Sequence, residues 1–257
     1  MSNIKQYLTG ALLSTLMFVA LSVNAQTQAS SKGVKNIVLV HGAFADGSSW
    51  AALIPALQAK GYNVIAVQNP LTSLEDDVAA TKRAIALLDG PVLLVGHSYG
   101  GMVITEAGND PKVAGLLYVC ALVPDDGQSA QDVTKNYPSP GTAEFKLDAS
   151  GFLTMSNKGI NAHFAQDMKA EDRNVIFATQ TPWAAKATTG KISTAAWKNK
   201  PSWFVIGSED HMVLPELQRT EVKMIKATTL ELKSSHVPMV SQPAKVAAFI
   251  IGAAEKL

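Results

Sequence analysis

Beyond residue 35 the chain alternates short aliphatic runs with longer stretches whose apolar positions recur at helical spacing. The runs are 36-NIVLVH-41, 63-NVIAV-67, 91-PVLLV-95, 114-AGLLYVC-120, 202-SWFVIG-207 and, more weakly, 228-TTLELK-233. Unbroken apolarity at strand length predicts strands covered on both faces, as in a parallel sheet, rather than strands with one wet side. Between the second and third runs, Leu74, Val78, Ile85 and Leu88 share one helical face, and Ser73 with Asp76 gives a capping-box-like start. A second helix is predicted over 49–60, with Pro55 near its first turns and Gly61 as its stop. A third is predicted over 98–108, directly out of the third strand, and a closing one follows Pro243 with Val246, Phe249 and Ile250 inward. Sustained strand-helix alternation predicts an α/β fold with a mostly parallel six-stranded sheet and helices on both faces.

The alternation breaks once. From Pro124 to Pro201 no strong strand pattern occurs, while Phe145, Phe152, Phe164, Phe177, Trp183 and Trp197 are scattered along the segment. A structureless loop of that length does not suit a compact domain, so residues of about 125–200 are expected to form a small helical cap inserted into the main domain. Such an insertion could roof a site, or its aromatics could simply pack onto the sheet layer.

The first 25 residues read differently. Lys5 precedes an apolar run, 11-ALLSTLMFVALSV-23, that is too short to span a bilayer and ends in Val-Asn-Ala. This predicts a signal peptide over 1–25, cleavage after Ala25, a mature domain of 26–257 and export to the periplasm or medium, with no membrane attachment afterwards. Removing Lys5 leaves acidic and basic side chains equal in number, at 21 each, so nothing in the charge balance favours nucleic acid. Cys120 is the sole cysteine, so no internal disulfide can form and stability must come from the core. Within YVCALVP the thiol reads as a small buried hydrophobe.

The chemistry concentrates at 96-GHSYG-100, a G-x-S-x-G pattern that follows a predicted strand and opens a predicted helix. On so sharp a corner the Ser98 hydroxyl is pushed into the open, beside free N–H groups at the start of a helix. The turn matches neither G-x-G-x-x-G nor the phosphate-binding loop, because Met102 stands where a lysine is required. A serine nucleophile needs a base, an acid to orient it and a second oxyanion donor, each at a strand end. Of five histidines, His236 lies in the loop between the last strand and the last helix, and is the candidate base. The acid is expected after the 202–207 strand, where Glu209 and Asp210 adjoin; Asp210 is preferred and Glu209 is the alternative. The second donor is expected in 41-HGAFADGSSW-50, from the N–H of Ala43 or of Phe44, opposite the N–H of Tyr99. Ala43 is preferred, with Phe44 expected to line the pocket and Trp50 to pack inward. No H-E-x-x-H or paired-cysteine spacing suggests a metal.

Taken together, VLVGHSYGGM, the HGAF loop, GSEDHMVLP and SSHVPMVSQP resemble the α/β-hydrolase superfamily, and within it the small esterases related to plant methylesterases and hydroxynitrile lyases. The resemblance covers nearly the whole mature chain, although the leading hairpin of larger hydrolases and the HGGG loop of another esterase branch are lacking. It implies an α/β-hydrolase fold with a helical cap and a triad of Ser98, Asp210 and His236. It also implies an oxyanion hole from Ala43 and Tyr99, no cofactor, and a small or medium ester or lactone as substrate, with Phe44 and Trp183 as candidate pocket residues. The alternatives are cyanohydrin cleavage or cofactor-free perhydrolysis on the same residues, or a ligand-binding receptor with vestigial hydrolysis, since a fold does not settle a reaction.

Overall fold

The computed structural model describes residues 33–257; the segment expected to be a signal peptide, with its cleavage point, lies outside the described residues. In chain order the elements are β1 (Asn36–Val40), α1 (Ile54–Ala59), β2 (Asn63–Val67), α2 (Leu74–Ala86), β3 (Val92–His97), α3 (Gly100–Ala107) and β4 (Val113–Val119). Then come α4 (Ala130–Thr134), β5 (Phe145–Leu147), β6 (Phe152–Met155), α5 (Asn157–Gly159), α6 (Ala170–Thr179) and β7 (Trp183–Ala184). The chain closes with β8 (Ser202–Gly207), α7 (Pro215–Ile225), β9 (Thr228–Leu232), α8 (Pro238–Ser241) and α9 (Pro243–Ala254).

Six strands form one sheet in the order β2-β1-β3-β4-β8-β9, and every pairing in it is parallel. The apolar runs explain this: β1, β3 and β8 are buried at every residue, whereas β2 and β9 at the two edges are partly exposed. Register aligns Val40 with Gly96, His97 with Val119, Val119 with Val205 and Gly207 with Leu232. All the strands therefore end at one edge. The chain passes from β1 outward to β2 and then back across to β3, so the sheet changes winding direction between β1 and β3. Beyond that point, at the carboxyl ends of the strands, open α/β sheets place their ligands.

The helices follow their sequence signals with one shortening. Ser73 caps α2, its Oγ accepting the Asp76 N–H at 3.1 Å, and α9 turns Val246 and Ile250 fully inward. The helix predicted over 49–60 is instead a tight turn at Gly47–Trp50 followed by α1. The Asp46 carboxylate caps that turn through the Ser48 N–H at 2.6 Å. Pro55 lies in the first turn of α1, the place where its missing N–H costs nothing.

Between β4 and β8 the chain departs from the helical expectation. It contains helices, but β5, β6 and β7 also form a three-stranded antiparallel sheet, with Phe145 opposite Met155 and Leu153 opposite Trp183. These strands have four residues or fewer, too short for an alternating pattern to stand out. Their hairpin is made by Asp148, whose Oδ1 accepts the N–H of Ser150 and of Phe152 at 2.8 Å, and by Gly151 at φ 83°, a conformation glycine adopts without strain.

Candidate active site

Ser98 leaves β3 at φ 54°, a left-handed conformation that costs a non-glycine residue energy and so must be imposed by its surroundings. Three backbone bonds impose it. The Ser98 N–H donates to Val119 O at 3.1 Å, and its carbonyl accepts from Gly101 N–H at 2.9 Å and Leu122 N–H at 3.1 Å. The flanking glycines are required by close backbone approach. A Cβ on Gly100 would lie 2.6 Å from Val40 O, and one on Gly42, across in the loop after β1, would lie 2.6 Å from the Ser98 Cβ.

His236, from the loop after β9, brings Nε2 to 2.8 Å from Ser98 Oγ and Nδ1 to 2.8 Å from Asp210 Oδ2. The pairing fixes the tautomer: Nδ1–H donates to the carboxylate, which leaves Nε2 to accept from the hydroxyl. Both side chains are buried. Asp210 sits in a cradle of donors. Oδ1 accepts from Met212 N–H at 2.7 Å and Val213 N–H at 3.1 Å, and Oδ2 also accepts from Gln218 Nε2 at 2.9 Å. Gln218, fully buried on α7, is itself fixed by donating to Val213 O and accepting from Gly207 N–H. The neighbouring Glu209 points away, 3.6 Å from the exposed Lys233, so of the two adjoining carboxylates only Asp210 meets the imidazole.

Two more histidines act as scaffolding. His97 donates from Nε2 to His236 O at 2.8 Å and packs its ring, tilted by 51°, with its centroid 4.7 Å from that of the His236 ring. Complete burial holds its pKa well below the usual histidine value, so it remains a neutral prop for the loop. His41 accepts the Asn69 N–H on Nε2 and donates from Nδ1 to Gly42 O at 2.8 Å. Burial lowers its pKa as well, and the ring holds the loop that carries Ala43 and Phe44.

In that loop Phe44 also adopts a left-handed conformation, at φ 60°. Among the described residues, the N–H groups of Ala43, Phe44 and Tyr99 donate to no protein acceptor. Free N–H groups flanking a serine hydroxyl are what a developing oxyanion requires. The Tyr99 ring turns the other way: its hydroxyl donates to Asp77 Oδ2 at 2.9 Å in the interior.

Above Ser98 lies a cavity of about 420 Å³, within the usual range for small-molecule sites. Ala43, Phe44, Tyr99 and His236 line it from the sheet side, and Phe145, Leu153, Phe164 and Trp183 from the insertion. Phe44 and Trp183, expected as pocket residues, both stand in its wall. The Trp183 ring is 4.9 Å from Tyr99 and 6.0 Å from Phe44, and Phe164 packs edge-on against the His236 ring at 5.1 Å. No lysine or arginine occurs among the lining residues.

Several participants carry no local sequence signal. Gln218 lies eight residues beyond Asp210 in an ordinary amphipathic helix, and Asp77 is one of three acidic residues in the first turn of α2. The insertion also pins both loops: Gln166 Nε2 donates to Glu209 O at 2.6 Å, and Asp167 accepts the Ser235 N–H at 3.1 Å. Cys120 is buried at φ 44° and free; desolvation raises its thiol pKa, which keeps it unreactive.

A parallel sheet changing direction beside a strained serine, with an imidazole and a carboxylate in line, defines a class, and the sequence agrees with it. The pattern of the alpha/beta hydrolase family matches residues 37–249, and the chain belongs to that family. Its curated relatives include esterases of the plant methylesterase-like group. Polyneuridine aldehyde esterase of Rauvolfia serpentina is 26% identical, over 85% of this chain and 95% of its own. Methylesterase 8 of Arabidopsis thaliana is 22% identical, over 86% and 90%. Among solved structures, a pyrethroid hydrolase from Sphingobium faniae superposes with a TM-score of 0.74 at 21% identity, covering 86% of this chain and 97% of that one.

Proposed function

We propose that the protein is a serine carboxylic-ester hydrolase acting on neutral, small or medium, partly apolar esters or lactones. The observation that carries this reading is the unbroken relay from Asp210 through His236 to Ser98, with 2.8 Å at each step, at the floor of a largely apolar cavity. Curated relatives named as esterases support the reaction class.

In this reading His236 Nε2 takes the Ser98 proton as Oγ attacks the ester carbonyl. Negative charge gathers on the carbonyl oxygen, and the N–H groups of Tyr99 and Ala43 receive it. Asp210 stabilises the imidazolium without taking its proton. The C–O bond to the alcohol then breaks, the alcohol leaves with the proton from His236, and Ser98 carries the acyl group. Water enters and gives a proton to His236 as its oxygen attacks the acyl carbon. The bond from that carbon to Ser98 Oγ then breaks, His236 returns the proton to Oγ, and the acid leaves with the serine restored. No cofactor takes part.

The lining favours this reaction over cyanohydrin cleavage. A departing cyanide is best stabilised by a nearby fixed cation, and the cavity wall contains no lysine or arginine. The same lack of a counter-ion argues against an acyl group that carries its own carboxylate.

The test is turnover of p-nitrophenyl butyrate together with labelling by a fluorophosphonate. Both are expected in the folded protein and both should vanish in Ser98→Ala, with thermal stability retained. A folded, unlabelled and inactive wild-type protein would overturn the reading.

A further inference from the structure

The interior holds a second carboxylate that the relay does not use. Asp77, on the first turn of α2, is fully buried, and among the described residues it has no cationic partner. Its two oxygens serve different parts of the molecule. Oδ2 accepts the hydroxyl of Tyr99 at 2.9 Å, and Oδ1 accepts the N–H of Leu71 at 2.8 Å. Leu71, itself at φ 55°, accepts the Ala184 N–H of β7 on its carbonyl at 2.8 Å. Adjacent in β7, Trp183 packs its ring on Tyr99. One side chain thus joins the residue next to the nucleophile, a left-handed turn and the strand that roofs the cavity.

Burial of this kind is costly for a carboxylate. Desolvation, opposed by the two hydrogen bonds, raises the Asp77 pKa to about 6. An apolar residue would fill the space without that cost but would leave a hydroxyl and an N–H unpaired in the interior. Asparagine would keep an acceptor for the Leu71 N–H but would have to reverse the other bond, its amide donating to the Tyr99 oxygen in place of the hydroxyl-to-carboxylate bond. Two groups from separate elements converge on this one side chain.

We propose that Asp77 is a positioning residue for the oxyanion hole: through the Tyr99 hydroxyl it fixes the rotation of the Tyr99 backbone, and through Leu71 it seats β7 over the same site. The inference rests on the esterase reading, because only there does the Tyr99 N–H receive a developing charge. Asp77 itself touches no substrate. Its effect belongs to the transition state, since an oxyanion donor must point at where the charge will be, not at the ground-state carbonyl.

The test compares Tyr99→Phe, Asp77→Asn and the double variant with wild type in the full chain. Four quantities are read: kcat and KM for p-nitrophenyl butyrate, inhibition by an aliphatic trifluoromethyl ketone whose adduct carries the oxyanion, and thermal stability. Complete loss of an oxyanion donor costs roughly 10²- to 10³-fold, so misaiming one is expected to lower kcat by at least about tenfold, with KM within about twofold. The trifluoromethyl ketone should weaken in step with kcat, and the double variant should be no worse than the poorer single one, since both remove the same hydroxyl-to-carboxylate bond. Tyr99→Phe leaves the carboxylate on Leu71, so it carries the test should Asp77→Asn fail to fold. Folded single variants with kcat within twofold of an active wild type would overturn this inference and leave the esterase reading standing. Losses that follow thermal stability, with the ketone binding unchanged, would also overturn it. A wild type that neither turns over ester nor takes the fluorophosphonate would overturn both.

Discussion

At the scale of single residues, the site is built by backbone constraint more than by side-chain choice. Ser98 is held left-handed by bonds to Val119, Gly101 and Leu122, elements that pack on β3 from different parts of the chain. Gly42 shows how little room that leaves, because an added methyl group would meet the Ser98 Cβ at 2.6 Å and His97 O at 2.9 Å. Neither neighbour can withdraw without moving the corner. Gly42→Ala is therefore expected to displace the loop carrying Ala43 and to lower kcat for p-nitrophenyl butyrate by about 10²-fold, the scale of a lost oxyanion donor. A folded Gly42→Ala protein of undiminished kcat would show that the loop supplies no such donor. These residues were legible to different degrees. Ser98 and His236 stand out because a short pattern and a loop position name them. Asp210 is preferred over Glu209 in the sequence but not separated from it by any local signal; neighbouring loop carboxylates differ in where the chain directs them, and the fold turns Asp210 to the imidazole.

At the scale of elements, the insertion between β4 and β8 sets the shape of the cavity and steadies its floor. Trp183, on the shortest strand of the small sheet, closes the space between Tyr99 and Phe44. Trp183→Ala should enlarge the cavity, cost about 3–5 kcal/mol of stability as other large-to-small core changes do, and favour longer acyl chains. Measured across p-nitrophenyl acetate to octanoate, kcat/KM is expected to shift towards the longer esters by about tenfold, near the worth of one or two buried methylenes. An unchanged profile would place the acyl group elsewhere. Helix α7 carries a second buried acid. Glu221 accepts the Val123 N–H on one oxygen at 2.7 Å, while its other oxygen has no partner among the described residues. Desolvation raises its pKa well above the ordinary carboxylate range. The folded protein thus holds the Glu221 proton more tightly than the unfolded chain does. Its stabilising contribution is full below the unfolded pKa and is lost as pH rises through the folded one. Glu221→Gln removes that loss, so its melting temperature should gain on wild type as pH rises from 5 to 9, by about 2 °C or more. A difference that does not change with pH would mean that Glu221 is ionised in the folded protein as it is in the unfolded chain.

For the whole molecule, pH acts in two opposed directions. His41 and His97 are buried with lowered pKa values, so the stability they lend is present above the usual histidine range and is lost as pH falls through their folded values. Asp77 and Glu221, with raised values, oppose that trend at higher pH. Both pairs sit behind the carboxyl edge of the sheet, where the polar groups of the site enter the interior. The alternation of aliphatic runs and helical faces was enough to predict the parallel six-stranded layer, because strands buried on both faces leave no polar positions and that pattern is local. It could not predict the small antiparallel sheet of the insertion, whose strands are too short to show a period, nor the shortened α1, where a cap and a proline decide within a few residues. The sequence by itself determined the layer architecture and marked the serine corner and the histidine loop, since the strand-helix pattern and the short motif are local; the strain at Ser98 is imposed by Val119 and Leu122 from further along the chain. Only the tertiary structure decided which carboxylate faces His236, that Gln218 secures it, that Asp77 reaches Tyr99 and that Trp183 and Phe164 close the cavity. Those choices depend on contacts between residues far apart in the chain, and such contacts exist only once the sheet has brought the strand ends to one edge.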